Sequence, residues 1–428
     1  MKKQLLMLII FISSNILAQG QVINVPGDQP TIQGAINASA DGDTVLVADG
    51  TYYENIDYKG KTIIVASHYL VDEDETHIDN TIINGSQSPN PEDGAVVRFR
   101  LGEDTTSVLY GFTITGGTGG QSPPGSPHDA WGGGGIAIES GAKIIYNKII
   151  FNSCTAPHAF VFGGGILIDR PERPILIIKN IIANNKLISL DQNEVSGGGG
   201  IFCNRCDKEL LIADNIIANN SIVTPEEIIK GYGGGIEIAH SNATVKIRNN
   251  IIKNNSVRRG GGVEFVDYNG NEHPTLINNT IVNNVATDAG GAIYTDKPTT
   301  IVNSILWGNT APNQSQIFST VPNDVIVVYS DVEGSYDGAG NIDLNPLFAD
   351  TDNYYLTSAS PCVDAGHPNI IYNDVEDLIN LGFPLSPSLG GLRNDMGAYG
   401  GNPDMFYELI TISTEDEMIP QLHHSGQY

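Results

Sequence analysis

Six times between Gly132 and Thr295 the chain writes a run of two to four glycines that leads into an aliphatic residue, at Ile136, Ile166, Ile201, Ile236, Val263 and Ile293. A second phrase follows most of these runs, as Asn180-Ile-Ile-Ala-Asn-Asn185, Asn215-Ile-Ile-Ala-Asn-Asn220, Asn250-Ile-Ile-Lys-Asn-Asn255 and Asn279-Thr-Ile-Val-Asn-Asn284. A period of about 27 to 35 residues holding two short β-branched strands suits one coil of a parallel β-solenoid. Each such coil buries its apolar side only by stacking on the next. The repeat therefore predicts one continuous rod.

The asparagines suit the corners of such a rod. Asn tolerates left-handed backbone angles, and Asn side chains at equivalent corners can stack their amides into a hydrogen-bonded ladder. The glycines supply positive φ or let backbone approach backbone. A phosphate-cradling loop is a poor reading of them, because no Gly-Lys-Ser/Thr follows any run and a strand follows each one.

Met1 to Ala18 has the form of a signal peptide: Lys2 and Lys3, the apolar stretch Leu5 to Ile12, then Ile16-Leu-Ala18 before Gln19. Its removal implies an extracellular or cell-surface protein, and no later segment is long and apolar enough to span a membrane. Lys and Arg number 22 against 49 Asp and Glu, a net charge of −27, and losing Lys2 and Lys3 makes the chain more acidic still. Nucleic acid is then an improbable partner. Such acidity keeps a secreted monomer soluble and invites Ca²⁺, which takes carboxylate oxygens, but it repels a polyanion unless a metal or a local basic strip intervenes.

Four cysteines do not make a disulfide scaffold. Two residues past each glycine-run aliphatic stand Ile138, Ile168, Cys203, Ile238, Phe265 and Thr295, an inward column by strand alternation. Cys203 is thus expected in the core, not in a redox or zinc pair with Cys206.

Along the chain, residues 1–18 read as signal peptide, 22–330 as solenoid, 331–405 as a Gly-, Pro- and Asp-rich closing segment and 406–428 as a tail. The amphipathic stretch Thr31 to Asn37 is expected to form a helix over the open end, where an unprotected sheet would template aggregation. Loops such as Gly119 to Trp131 are expected to project outward.

The entry unit, the glycine and asparagine repeats, and the motifs Asn345-Pro-Leu-Phe-Ala-Asp350, Ser358-Ala-Ser-Pro-Cys-Val-Asp-Ala-Gly366 and Asn394-Asp-Met-Gly-Ala-Tyr399 together resemble secreted bacterial right-handed parallel β-helix proteins of the pectin-lyase-like superfamily. The closing segment is similar to the choice-of-anchor Q domain. The resemblance implies an all-β fold, a right-handed parallel β-helix with an N-terminal capping helix. For activity it says less, because that superfamily holds lyases, hydrolases, esterases, epimerases and proteins with no known reaction.

Gly50-Thr-Tyr-Tyr-Glu54 resembles the opening motif of pectin methylesterases, yet the segments carrying that family's catalytic aspartates are absent. The polygalacturonase motifs are absent too, and with them the paired aspartates such a hydrolase needs. Asp169-Arg-Pro-Glu-Arg-Pro174 matches the Arg-Pro-x-x-Arg stretch of pectate lyases only faintly. A lyase needs a cation to neutralise the uronate carboxylate and a base, usually Arg or Lys, to take the C5 proton.

Stacked positions offer candidates. One residue past the aliphatic, the outward column reads Ala137, Leu167, Phe202, Glu237, Glu264, Tyr294, with neighbours about 4.8 Å apart. Glu237 and Glu264 side by side either raise one pKa or grip a cation, Ca²⁺ by preference. Arg259 or Arg258 is the candidate base, and Phe202 and Tyr294 are candidate sugar-stacking platforms. Three residues further, Ser140, Arg170, Arg205, His240, Asp267 and Lys297 form a mixed strip from which Arg170, Arg205 and His240 could bind an anionic glycan. The acidic runs Asp72 to Glu75 and Asp331 to Asp343 read as solvated loops. Two functions follow: a polysaccharide-interacting β-helix, as a pectate-lyase-like enzyme on acidic polysaccharide, or a non-catalytic surface or matrix protein that adheres through glycans.

Overall fold

A computed structural model describes residues 20–88, 93–121, 131–156, 160–189, 196–223, 231–242, 244–266 and 273–402. The leader, most of the Gly119–Trp131 loop, Asp267 and the tail from residue 403 lie outside the described residues.

Short strands stack into three parallel sheets that enclose one core. Sheet A has eleven strands from Val22–Val25 to Val325–Val328, sheet B ten from Gly50–Tyr52 to Asp331–Val332, and sheet C nine from Ile56–Asp57 to Ile317–Ser319. One coil runs through Ile166–Asp169 in sheet C, Ile175–Ile178 in sheet A and Ile181–Ala183 in sheet B. The chain then leaves along Lys186–Ser189 and returns along Ser196–Gly197, both in a fourth sheet, D. Within sheet D, outgoing and returning strands are joined by Ser256–Arg259, which pairs with both Ser221–Val223 and Gly231–Tyr232.

The core follows the sequence columns. Ile136, Ile166, Ile201, Ile236, Val263 and Ile293 are 0% exposed, as are Ile138, Ile168, Cys203, Ile238, Phe265 and Thr295. Full burial of each aliphatic side chain contributes roughly 1.5–3 kcal/mol, so the stack of isoleucines carries much of the stability. All four cysteines are free and buried, and Cys203 and Cys206 sit in this core.

The asparagines divide into two roles. Asn147, Asn180, Asn215, Asn250 and Asn279 form a buried ladder at the corner between sheets A and B, each amide donating to the next carbonyl oxygen at 3.0–3.2 Å. A second ladder runs through Asn152, Asn185, Asn220, Asn255, Asn284 and Asn309. The left-handed backbone belongs instead to the residue before each rung, such as Lys179 (φ 56°), Asn184 (φ 57°), Asn219 (φ 54°) and Asn254 (φ 55°). The glycine runs make the third corner: Gly198 has φ +67°, and a Cβ on Gly199 would lie 2.5 Å from the Gly234 carbonyl oxygen.

The ends are closed by different devices. Helix α1 (Ile32–Ala38) buries Ile32, Ala35 and Ile36 against Val25, Val45 and Val47, with Thr31 as N-cap. At the far end Val332 and Tyr336 pack onto the core. The remaining C-terminal segment folds back along the side, where Asn249, Asn278 and Asn303 bond to Ala398, Asp395 and His367. Ile251 and Val282 pack with its Tyr354 and Ala398.

Candidate functional site

The outward face of sheet C holds the column expected from the repeat. Phe202, Glu237, Glu264 and Tyr294 are cross-strand partners on successive coils. They are not open to solvent, because the returning strands of sheet D lie against them. Glu237 is 3% and Glu264 0% exposed, and a Cβ on Gly197 would stand 1.7 Å from Glu237 Oε2.

Arg259 closes this cluster. Its Nη2 lies 2.8 Å from Glu264 Oε1, and its guanidinium is held between the rings of Tyr232 and Tyr294, 4.1 and 4.3 Å from their centroids. Glu264 Oε2 accepts from the Gly233 amide at 3.0 Å. Glu237 Oε2 has no hydrogen-bond partner among the described residues. Burial raises both carboxyls, and the Glu264 charge raises Glu237 further. Glu264 has both the Arg259 guanidinium and the Gly233 amide on it, whereas Glu237 has only the Gly198 amide and the more distant Arg259 charge, so Glu264 is the better compensated of the two carboxyls and Glu237 the one pushed up by its neighbour.

The geometry revises several expected roles. Phe202, 4% exposed, is stacked on Phe162 at 4.3 Å, and Tyr294, 7% exposed, on Phe318 at 5.1 Å, so neither ring offers a face to a sugar. Arg259 is committed to Glu264, and Arg258 pairs with Asp288 at 3.1 Å, so neither is placed to take a substrate proton beside the glutamates. Outward strand alternation was legible; the cover of sheet D over it was not.

Arg170, Arg205 and His240 do form one column. They occupy successive corners between sheets C and A in left-handed conformation, φ 49°, 51° and 54°. Their amides donate to the carbonyls of Asn204, Ala239 and Val266. Ser140 at the equivalent place is buried and bonded to Glu103, and Lys297 pairs with Asp296, so the strip is confined to three coils.

The family pattern described as a right handed beta helix region matches residues 65–311, more than half of the chain. The chain belongs to that family. Among solved structures, the crystal structure of pectate lyase Pel9A is similar over 89% of this chain and 96% of that one, at 14% identity and a TM-score of 0.46. No curated protein sequence matches the chain.

In this right-handed β-helix the sheet C column continues below the glycine repeats, where sequence spacing loses it. Ala137 pairs with Arg98, and Arg98 with Asp57. Arg98 is 6% exposed with Nε 2.6 Å from Asp93 Oδ1, and Arg100 Nη2 is 2.6 Å from Asp57 Oδ2. Above Arg100 stands Glu139, and above it Asp169, bonded to Asn204 at 2.8 Å and to Arg170 at 3.2 Å. Burial holds the Glu139 carboxyl up to about 7, with Arg98 opposing that rise and Asp169 adding to it. Glu139 is half-buried and makes no side-chain hydrogen bond among the described residues. Glu139 and Asp169 share the third place past Ile136 and Ile166, but for Arg98 the lone Arg in Val96-Val-Arg-Phe99 was the only signal, because no glycine run precedes Val97.

The buried glutamates do not fit Ca²⁺. Glu264 is already paired with Arg259, and the two glutamates offer at most four oxygens, whereas Ca²⁺ takes six to eight. Among the described residues no three His, Cys, Asp or Glu side chains converge to hold a metal. No helix of the described residues is long and apolar enough to cross a membrane.

Proposed function

We propose that this β-helix protein is exported and binds acidic polysaccharide along the corner between sheets C and A. The observation that carries the reading is the column Arg170, Arg205 and His240 beside Arg98 and Arg100, a local concentration of arginines with one histidine on a chain of net charge −27. Successive coils about 4.8 Å apart hold these groups in a line, and a guanidinium binds carboxylate with two parallel donors.

Turnover, if the protein has it, centres on Glu139. A half-buried carboxyl held near 7 exchanges a proton at neutral pH, which general acid–base chemistry on a glycan requires. Arg98, Arg100 and Arg170 surround it and would orient the substrate carboxylate. A non-catalytic adhesive role is the second reading, favoured by the pairing of all three arginines with Asp93, Asp57 and Asp169.

The experiment is a polyuronate assay that follows both unsaturated product and new reducing ends, with parent and Glu139→Gln in parallel. Activity that rides on a group near pH 7 and vanishes in the variant supports catalysis. Polyuronate binding without turnover in either protein supports the adhesive reading, and neither binding nor turnover removes the polysaccharide proposal.

A further inference from the structure

Among the described residues, exposed apolar side chains concentrate away from the sheets, in a hairpin of the C-terminal segment. Leu378, Ile379 and Leu381 at its tip are 85%, 97% and 69% exposed, and Phe383 and Leu385 on the returning limb are exposed as well. Leu381, Phe383 and Leu385 alternate with Gly382 and Pro384, so one side of that limb is apolar. Single apolar residues are ordinary on a surface, whereas a contiguous group marks contact with a partner or a membrane.

The hairpin is tied together at every level. Its limbs bridge at Glu376 and Pro384, the Asp377 amide donates to the Phe383 carbonyl at 2.9 Å, and the Leu385 amide donates to the Val375 carbonyl at 2.6 Å. Two carboxylates bind the loop: Asp377 Oδ1 accepts from the Ile379 amide at 2.8 Å and Glu376 Oε1 from the Gly382 amide at 2.7 Å. The Asn380 and Phe383 amides donate to the carbonyls of Asp377 and Asn380. The amides of Ile379, Asn380, Gly382 and Phe383 thus have partners inside the hairpin, which an apolar solvent demands. Its feet are fixed as well, because buried Asp374 accepts from the Gly401 amide at 2.6 Å and Ser388 Oγ donates to the Tyr399 carbonyl at 2.7 Å.

Residue chemistry and charge select what the tip meets. Protein anchors are rich in Trp, Tyr and Arg and poor in Leu, and residues 373–392 contain no Trp, Tyr, Arg or Lys. A second copy packed symmetrically on the tip would set Glu376 and Asp377 against their own kind, on chains that each carry −27. An anionic lipid surface, which draws in basic segments, is disfavoured by the same carboxylates. Zwitterionic headgroups carry no such penalty. We infer that the tip 378–381 inserts into the interfacial layer of a zwitterionic lipid surface and holds the rod against it. No residue of the corner between sheets C and A takes part, so the inference is independent of the polysaccharide reading.

The test sediments the full chain with extruded phosphatidylcholine vesicles, with and without phosphatidylglycerol, beside a Leu378→Ser, Ile379→Ser, Leu381→Ser triple variant. The expected result is saturable binding of the parent to phosphatidylcholine, no gain from the anionic lipid, and binding at least tenfold weaker in the variant at an unchanged melting temperature. A polarity-sensitive dye on Ile379→Cys, the four native cysteines being buried, should shift to the blue on the same vesicles. Absent binding, equal binding of parent and variant, tighter binding with phosphatidylglycerol, or an unshifted dye overturns the inference. So does light scattering that finds the parent dimeric without lipid and the triple variant monomeric, which would give the tip to a second copy.

Discussion

Arg259 holds Glu264 at 2.8 Å in the buried part of the sheet C column, while the adjacent Glu237 has no cation of its own. Two ionised carboxylates and one guanidinium would leave one net negative charge buried, and a proton on Glu237 makes the cluster neutral. That asymmetry separates the two residues experimentally. Glu237→Gln replaces a protonated acid by its isostere and should change stability by less than about 0.5 kcal/mol. Glu264→Gln strips a buried guanidinium of its partner and should cost about 3 kcal/mol. Chemical denaturation of both variants checks this, and equal losses would contradict the assignment.

The same pair predicts a pH dependence. Burial and Glu264 raise the folded pKa of Glu237 above its unfolded value of about 4.3. The folded state then binds the extra proton, so this contribution is complete below the unfolded value and is lost as pH rises through the folded one. Melting temperature should fall from mildly acidic toward alkaline pH in the parent, with a shallower fall in Glu237→Gln. Parallel curves would place the proton elsewhere.

Ladder and corner asparagines should respond differently to mutation. Asn215 accepts from the Asn180 backbone and side chain at 2.9 and 3.1 Å and donates to Ile177 and Asn250 at 2.8 and 3.0 Å. Asn215→Ala leaves several buried groups unpaired and should cost about 3 kcal/mol or more. Asn219 is exposed with φ 54°, a conformation glycine adopts freely, so Asn219→Gly should stay within about 0.5 kcal/mol of the parent. Thermal melts of the two variants distinguish the roles that one sequence phrase merges.

Core register makes a further demand. Ile236 is 0% exposed at the centre of the isoleucine column. Ile236→Asp places an unpaired charge there and should cost several kcal/mol, enough to unfold much of the rod at moderate temperature. A melt like the parent's would move that residue out of the core.

The inward columns and both ladders were legible in the sequence because glycine and asparagine mark corners, and corners fix register; the capping helix was legible from the amphipathic pattern of Thr31 to Asn37. Ile236 and Cys203 stand where that period puts them, and the helix runs over Ile32–Ala38 with Thr31 as its N-cap. The surroundings of the outward column were not legible. Sheet D covers Phe202 and Glu237 through strands as short as Ser196–Gly197, whose two residues carry no periodic signal. Arg98 escaped because no glycine run precedes Val97 to align it, and Glu139, three residues past Ile136 in an aligned coil, had no signal of its own without Arg98 and Arg100 beneath it.

The central claim is that a cationic column on an acidic rod binds acidic polysaccharide. Titrating a polyuronate into the purified protein and into an Arg170→Ala, Arg205→Ala double variant tests it directly. The account predicts saturable binding to the parent, weakened at least tenfold in the variant, with unchanged melting temperature. No binding to the parent, or equal binding to both, would contradict it.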